Sequence, residues 1–339
     1  MNILLLSSIF IVSFISIYFM IRYSDKIRLL DIPNERSMHS KITPRGAGIA
    51  FVFSIFLVLL FFDFKHFKMY YYIYFSSIIV FMAGVWDDVK NITPKMKFTF
   101  ILFAVLLLYS NNFALYSLGT YFKYELVLPN WLVFPFTFFA IAGFTNALNL
   151  MDGLDGLAGT VSLVMFIAFL AVGFQYDDDL LITLSSSFIA TLLAFLIFNW
   201  HPAKVFMGDS GSLALGTVIS ILAIQATHYI APAAVLFMVA LPLLDTFIVM
   251  TRRFQRHKSL FEADKNHLHH FLFNVKGDTR YTVMILALMQ VVFSIIGYQM
   301  GRANEFLSLI LFGILFYLYL NLFDQRLKRR NGFDVISKK

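Results

Sequence analysis

The chain has 339 residues and is far too apolar for a water-soluble protein. Apolar residues make up 59% of it, aromatic residues 18% and charged residues only 14%, and the net charge is +7 at pH 7. These values exclude a globular protein with a water-exposed surface and indicate a chain whose main solvent is lipid. The chain contains no cysteine, which excludes disulfides and thiolate metal sites.

Eleven apolar stretches are candidates for membrane-spanning helices. A hydrocarbon core of about 30 Å requires roughly 20 apolar residues in a helix, because every backbone N–H and C=O must be satisfied within the segment. The first stretch has no Lys or Arg before it and no small-residue cleavage site after it, so we expect a retained helix and not a signal peptide. The predicted spans are residues 3–21, 46–62, 70–86, 98–110, 131–148, 158–174, 180–198, 213–228, 230–250, 282–300 and 305–323.

Basic residues are distributed very unequally between the two sides of this predicted bundle. Eleven spans place the termini on opposite sides, and the connections on one side, together with the C-terminal tail, hold 23 of the 27 Lys and Arg residues. The positive-inside rule therefore predicts an outside N-terminus and a cytoplasmic C-terminus. No internal repeat or low-complexity linker divides the chain, so we expect one all-α, polytopic membrane domain over residues 1–339.

Polar and acidic residues collect in the connections predicted to be cytoplasmic. A charged group at membrane depth costs roughly 2.5–3.5 kcal/mol, so a cluster of such groups indicates a functional site. The acidic run at 177–179, on the opposite side, is interpreted as a solvated loop. The cytoplasmic connections that hold the predicted site are residues 22–45, 87–97, 146–157, 199–212 and 251–280.

Asp209 is the strongest single candidate for a metal ligand. It stands between Gly208 and Ser210, just before an apolar span, so small neighbours would allow a diphosphate to approach the backbone and a helix N-terminus. Mg²⁺ prefers oxygen ligands and is usually held by one or two carboxylates together with substrate phosphates. In the alternative interpretation, Asp209 and Ser210 only cap the next helix.

Two amides and two acids recur at every third position in the connection that follows the fifth span. On a helix, Asn146, Asn149, Asp152 and Asp155 would drift by only about 60° per step and would stay near one face. The two glycines of this stretch weaken the helix prediction, and a glycine-rich turn would bring the same groups together differently. Both geometries predict a polar site at the membrane surface.

An adjacent acid pair, Asp87 and Asp88, ends the third span. Neighbouring residues on a helix diverge by about 100°, so we expect one to face the reacting groups and the other to have a structural role or to bind metal indirectly. Asp245 lies inside the ninth span, on about the same helix face as Arg252. A buried structural role and support of the site are both left open for Asp245, and it is not included in the catalytic set.

The predicted cytoplasmic connection at 251–280 contains a histidine cluster, HLHH, at residues 267–270. Histidines can bind Zn²⁺, but Lys and Arg residues surround this cluster, which favours contact with phosphate or a nucleotide over metal binding.

Five stretches, taken in order, resemble one family, the bacterial polyprenyl-phosphate N-acetylhexosamine-1-phosphate transferases, in the superfamily of phospho-N-acetylmuramoyl-pentapeptide transferase. They are DIPNERSMHSKITPRGAG, GVWDDV, TNALNLMDGLDGLAG, NWHPAKVFMGDSGSLALG and DKNHLHH. The resemblance implies transfer of N-acetylhexosamine 1-phosphate from a UDP-N-acetylhexosamine to undecaprenyl phosphate, with Mg²⁺ and release of UMP. The product would start a cell-surface glycan such as O-antigen, lipopolysaccharide or teichoic acid.

The resemblance also implies roles for individual residues. The HLHH cluster stands where the muramoyl-pentapeptide enzymes have three histidines, which favours a simple UDP-N-acetylhexosamine donor. Ala47, which interrupts a glycine pair, and His201, which precedes Pro202, depart from the family pattern without touching the acids. The residues expected in the site are the catalytic acids Asp87, Asp88, Asp152 and Asp155, the metal ligands Asp209 and Asn149, and the substrate-binding residues Asn146, Asn149, Lys204, Arg253, His267, His269 and His270.

The implied setting is the bacterial inner membrane, with the active site on the cytoplasmic face. The expected partners are the UDP-sugar, undecaprenyl phosphate and the bilayer, with no nucleic acid; a homodimer, and Mn²⁺ in place of Mg²⁺, are left open. The alternative function is a membrane transporter that uses intramembrane acids. Transporters place ionisable groups near the bilayer midplane, often within inverted repeats, whereas here the acids lie at span ends.

Overall fold

The computed structural model describes residues 3–27, 29–33, 42–255, 267–301 and 305–336. Some motif residues, among them Asn34, Glu35, Arg36, His39 and Asp264, lie outside these ranges. The described helices are α1 (Ile3–Ile27), α2 (Ala47–Phe62), α3 (Phe64–Met69), α4 (Tyr71–Lys90), α5 (Pro94–Ser110), α6 (Asn130–Met151), α7 (Leu157–Tyr176), α8 (Asp179–Asn199), α9 (Gly208–Ala226), α10 (Pro232–Met238), α11 (Ala240–Gln255), α12 (Leu268–Lys276), α13 (Thr279–Met300) and α14 (Glu305–Ile336). Two short antiparallel pairs accompany them, β1 (Leu30–Asp31) with β2 (Thr43–Pro44), and β3 (Ser117–Tyr121) with β4 (Tyr124–Val127).

The predicted class, an all-α polytopic membrane protein, is confirmed. Seven helices of the described chain are long and apolar enough to cross a membrane, namely α1, α4, α6, α7, α8, α9 and α13. The bent pair α10 and α11 adds an eighth candidate, and α2 and α14 contribute shorter apolar segments. The count of eleven spans and the orientation of the termini stay predictions.

Helix α9 forms the centre of the bundle. In its most apolar stretch 83% of the residues are buried inside the protein, against 28% for the peripheral α1. Glycines allow its first turn to lie directly against two other helices. A Cβ atom at Gly84 of α4 would come within 2.5 Å of the Asp209 carbonyl oxygen, and one at Gly48 of α2 would collide with the backbone of Gly211. Because Gly48 and Gly84 have no side chains, the first turn of α9, which carries Asp209, fits between α2 and α4.

The acidic run at 177–179 agrees with its prediction as a solvated loop at Asp177 and Asp179, which are exposed, but not at Asp178. Asp178 is only 7% exposed. Its carboxylate accepts hydrogen bonds from the backbone N–H of Leu181 at 2.6 Å, from Gln225 Nε2 at 2.7 Å and from the Tyr229 hydroxyl at 2.7 Å. Asp178 caps α8 and ties it to the end of α9, so three donors compensate for the loss of water around its charge.

The predicted span at 230–250 is broken in the structure. It forms α10 and α11, which meet at an angle of 89°. Such a break frees backbone groups that cannot remain unpaired in lipid. The fully buried Gln290 of α13 supplies both missing partners: its Nε2 donates to the Met238 carbonyl at 2.7 Å, and its Oε1 accepts from the Leu241 N–H at 3.1 Å.

Replacing Gln290 with Leu is expected to destabilise the protein, because the Met238 carbonyl and the Leu241 N–H would lose their partners. Each buried unpaired group costs about 1–3 kcal/mol. The apparent melting temperature of the solubilised protein should fall by several degrees. Leu288→Met, on the lipid-exposed side of the same helix, is the control and should melt like the parent; equal melting of both variants would show that Gln290 does not support the bend.

Candidate active site

The adjacent carboxylates Asp87 and Asp88 at the end of α4 make different contacts. Asp88 is turned toward the start of α9, where its Oδ1 accepts from the Asp209 N–H at 2.9 Å and its Oδ2 from the Ser210 N–H at 3.1 Å. A negative charge at a helix N-terminus is favourable, and here another helix supplies it. The sequence left open that Asp209 and Ser210 cap their own helix, α9. In the structure the cap of α9 comes from Asp88 of α4.

Asp87 and Asp209 instead share a cation. The ammonium of Lys97, in the first turn of α5, lies 3.1 Å from Asp87 Oδ1 and also forms an ion pair with Asp209 Oδ2. Asp87 Oδ1 further accepts from the Ile92 N–H at 2.9 Å. Lys97 is a site residue that the sequence reasoning missed. Its only signal was its place in the predicted cytoplasmic connection 87–97, where it counted as one basic charge among several.

The first and fourth motifs of the family resemblance lie side by side. The Phe206 N–H donates to the Pro44 carbonyl at 2.8 Å, and the Gly48 N–H donates to the Met207 carbonyl at 2.9 Å. Arg45 donates to the Asp88 carbonyl at 2.6 Å and so binds the exposed carbonyls at the end of α4. These bonds hold the acid pair, the loop before α9 and the start of α2 in one arrangement.

The stretch from 146 to 156 is half helix and half turn. Asn146 and Asn149 lie in the last turns of α6, Asp152 follows directly after the helix, and Asp155 lies in the turn before α7. Asn149 Nδ2 donates to Ser212 Oγ at 2.8 Å. This contact anchors the amide group to α9 and turns its carbonyl oxygen away from Ser212.

Asp155 makes its contacts with the loop at 201–203. Its Oδ2 lies 2.7 Å from His201 Nδ1 and accepts from the Ala203 N–H at 3.0 Å. The expectation that His201 does not touch the acids is therefore wrong. The catalytic role predicted for Asp155 stays a prediction, and the contacts of this carboxylate are those of a residue that orders a loop. Lys204, in the same loop, is exposed and is not among the residues that line the groove described below.

The acid cluster, defined here as Asp87, Asp88, Asp152 and Asp209, has a strongly negative field. Burial, together with the charges of Asp209, Asp88 and Asp155, raises the pKa of Asp152 to about 7. Since the Lys97 ammonium already lies between two of these carboxylates, the cluster has the electrostatics of a cation site.

The residues present fit a magnesium ion. No group of three or more His, Asp and Glu side chains surrounds a common point in the described part of the chain. Mg²⁺ does not require such a cage, because it keeps several waters and is commonly held by one or two carboxylates and substrate phosphates. Asp209 would supply a carboxylate oxygen, and Asn149 would supply its amide carbonyl.

A groove of about 1530 Å³ runs along the bundle beside this cluster. Helices α5, α6, α9, α10 and α11 and the β3–β4 hairpin line it with mainly apolar side chains. At one end it is polar, and at the other it meets the hairpin residues Tyr121, Phe122 and Tyr124. The polar end is lined by Asn146, Gly153, Arg253, His267, His269 and His270. Because Gly153 adjoins Asp152 in the chain, the acid cluster lies at the edge of this polar end.

The third and fifth connections of the predicted site, residues 146–157 and 251–280, meet directly at this polar end. A Cβ atom at Gly153 would come within 2.5 Å of His269 Nε2. The histidine ring therefore packs against the backbone next to Asp152, and glycine is needed there because a side chain would displace the ring.

Fold and site together define a multi-pass membrane protein with a polar site at one end of its helix bundle, beside an apolar groove. The chain belongs to glycosyl transferase family 4, whose model matches residues 70–227. This match contains the whole acid cluster, and the histidines lie beyond it. Membership confirms the predicted resemblance and gives no support to the transporter alternative.

The relatives match over most of the chain. A protein from Bacillus subtilis (strain 168), described as a probable undecaprenyl-phosphate N-acetylglucosaminyl 1-phosphate transferase, is 31% identical over 87% of this chain and 83% of its own. Undecaprenyl-phosphate alpha-N-acetylglucosaminyl 1-phosphate transferases from Salmonella typhi and Escherichia coli (strain K12) are each 30% identical, over 93% and 94% of this chain and 89% and 91% of their own.

Proposed function

We propose that the chain transfers N-acetylhexosamine 1-phosphate from a UDP-N-acetylhexosamine to undecaprenyl phosphate and releases UMP. The observation that carries this proposal is the apolar groove that ends beside an acid cluster, a lysine and three histidines. The groove suits a polyprenyl chain, and its polar end suits the phosphates of both substrates. The names of the relatives support undecaprenyl phosphate as the acceptor and make UDP-N-acetylglucosamine the first donor to test.

The groove is long enough to hold part of a polyprenyl chain. It follows α6 from Phe136 to Leu150, which corresponds to about 21 Å at the helical rise of 1.5 Å per residue. The acceptor would enter from the lipid with its phosphate at the polar end. The proposed setting is the bacterial inner membrane with this end in the cytoplasm, where the product would begin a cell-surface glycan.

The proposed reaction is a direct phosphoryl transfer. An oxygen of the lipid phosphate attacks the phosphorus that bears the sugar, and UMP leaves. Such reactions depend mainly on positioning and charge neutralisation. Lys97, Arg253 and the histidines would hold phosphate oxygens. Mg²⁺, when bound to Asp209 and Asn149, would neutralise negative charge on the diphosphate. The lipid phosphate has a second pKa of about 6 and is largely dianionic at neutral pH. Removal of its proton by Asp87 as a general base therefore contributes little to the rate.

A covalent route, in which an aspartate attacks first, is the competing mechanism. It is disfavoured for Asp88 because both of its carboxylate oxygens accept backbone N–H groups. It is less favoured for Asp87 because Ile92 and Lys97 hold its Oδ1. Trapping of a radioactive phosphosugar on the protein in the absence of lipid would establish the covalent route.

The experiment that tests the function is UMP release by the purified, detergent-solubilised protein. It receives undecaprenyl phosphate, Mg²⁺ and a panel of UDP-N-acetylhexosamines, each with and without EDTA. Metal-dependent UMP from one donor supports the reaction and identifies the sugar. No UMP from any donor would count against the proposed reaction.

Gly153→Ala is expected to lower transfer activity by about tenfold or more, because the new methyl group would push the His269 ring out of place. Overpacking of this kind typically costs 1–3 kcal/mol. Gly313→Ala in α14 is the matched control, since a Cβ atom there meets nothing within 4 Å and Gly313 does not line the groove. Initial rates of UMP release compare the two variants, and equal rates would contradict a role for the packing of His269 on Gly153.

A further inference from the structure

Asp245 of α11 is a buried carboxylate that the mechanism above does not use. It is 5% exposed. Its Oδ1 accepts from the Leu268 N–H at 2.7 Å, and its Oδ2 lies 3.0 Å from His267 Nδ1. His267 occupies the N-cap position of α12 and makes no side-chain cap of its own. Asp245 therefore caps α12 from a different helix and contacts the first histidine of the HLHH cluster in the same interaction.

The two contacts determine how His267 is held. A carboxylate only accepts hydrogen bonds, so the proton in the contact with Asp245 belongs to His267 Nδ1. In the neutral ring Nε2 is then the unprotonated nitrogen, and the carboxylate also stabilises the imidazolium form, in which Nε2 donates. A second partner of this kind is the usual way in which a functional histidine is oriented.

Because His269 stacks on His267, the position of His267 also affects that of His269. The ring of His269 stacks on that of His267, with centroids 5.8 Å apart and planes at 12°. His269 is 2% exposed, and its Nδ1 has no hydrogen-bond partner among the described residues. Burial lowers the pKa of His269 to about 3, so this ring is neutral. A buried polar nitrogen without a partner is uncommon in a folded protein, and the ring that carries it lines the groove.

Asp245 also lies in the helix that forms one wall of the groove. Thr246, Val249 and Arg253 of α11 line it, and so do His267 and His269. A single carboxylate thus connects the groove wall with the histidines at its polar end.

We propose that Asp245 is a positioning residue for the transfer reaction: it fixes the ring of His267 and the start of α12, so that the histidine stack meets a phosphate group at the polar end of the groove. This inference rests on the proposed function. The UDP-sugar and the lipid phosphate share this chemistry, and the experiment distinguishes them. Asp245 does not touch the substrate itself.

Two variants separate the parts of this role. Asp245→Ala removes both contacts and is expected to raise KM for one of the two phosphate substrates by about tenfold or more, since small displacements in a site have large effects. Asp245→Asn retains an acceptor for the Leu268 N–H, but its amide nitrogen can only donate to His267 Nδ1. It should therefore move the proton of neutral His267 from Nδ1 to Nε2, which ¹⁵N NMR of histidine-labelled protein in detergent detects directly. His267→Gln assigns the signal among the 8 histidines.

The matched controls are Asp178→Ala and Asp178→Asn. Asp178 is also buried and also caps a helix, but it lies between α8 and α9, among partners that do not line the groove. These variants should lower thermal stability without changing either KM or the His267 signals.

Each outcome decides a separate question. A higher KM for the UDP-sugar assigns the histidine stack to the donor diphosphate, and a higher KM for undecaprenyl phosphate assigns it to the acceptor. Unchanged KM values for both substrates in Asp245→Ala, or unchanged His267 signals in Asp245→Asn, would overturn the proposal. If no donor yields UMP, the proposed function fails, and the NMR comparison still decides whether Asp245 holds His267.

Discussion

Asp209→Asn is expected to lose transfer activity by about 10²–10³-fold or more while remaining folded in the membrane. The loss follows because this carboxylate is the proposed metal ligand and the partner of Lys97, and removal of one preorganised charge interaction costs a factor of this size. The fold should persist because Asp88 caps the backbone of α9, and that contact does not involve the Asp209 side chain. UMP release at saturating Mg²⁺, together with the thermal melting curve, measures both effects.

Asp278→Asn is the control for this variant. Asp278 is exposed, and its side chain caps α13 through the Tyr281 N–H at 3.1 Å, a bond that asparagine can also accept. The same chemical change should leave both activity and melting unaffected. Substantial activity in Asp209→Asn would contradict the proposal that Asp209 is a metal ligand. An equal loss of activity in Asp209→Asn and Asp278→Asn would point to a general effect of the lost negative charge.

Lys97→Gln is expected to reduce activity by about 10²-fold and to make the metal-free protein less stable. Without the ammonium, the carboxylates of Asp87 and Asp209 would face each other uncompensated, and a phosphate would lose a cationic partner. In EDTA the apparent melting temperature should fall below that of the parent. Mg²⁺ should restore much of it, because the divalent cation would replace the missing charge among the same carboxylates.

Lys95→Gln is the control, since Lys95 is exposed and lies only two residues before Lys97. It should behave like the parent in both assays. Lys97→Arg adds a second comparison, because it keeps the charge and changes the geometry. Full activity in Lys97→Gln would show that the bridge between the two acids is not needed. If the melting temperature of Lys97→Gln is the same with and without EDTA, Lys97 is not needed to compensate the negative charges of Asp87 and Asp209.

The acidic residues show how much of the site can be predicted from the sequence. Asp87 and Asp209 are prominent in the sequence because a charge at the end of an apolar span has to be compensated, whatever the fold. The sequence also predicts that Asp87 and Asp88 diverge. It does not say which of them faces α9, because that depends on a contact between residues 121 positions apart.

Lys97 and Asp245 were not predicted to have the contacts that the structure gives them. Lys97 is one of 27 basic residues, and its partner Asp209 is 112 residues away. Asp245 was left with two interpretations, and only the position of α12 beside α11 favours one of them. The break near residue 239 was not predicted either. Pro242 is a local signal for it, because proline has no N–H to donate to the Met238 carbonyl, but the side chain that satisfies the break, Gln290, belongs to another helix.

The sequence by itself determined the class of this protein and the set of polar stretches from which its site is built. It could do so because lipid as a solvent imposes its requirement on each segment separately, so composition and the ends of apolar runs carry the information. Only the tertiary structure decided which carboxylate caps a helix, which shares a lysine and which orients a histidine. Those outcomes depend on the directions of hydrogen bonds between helices far apart in the chain, and no local pattern encodes them.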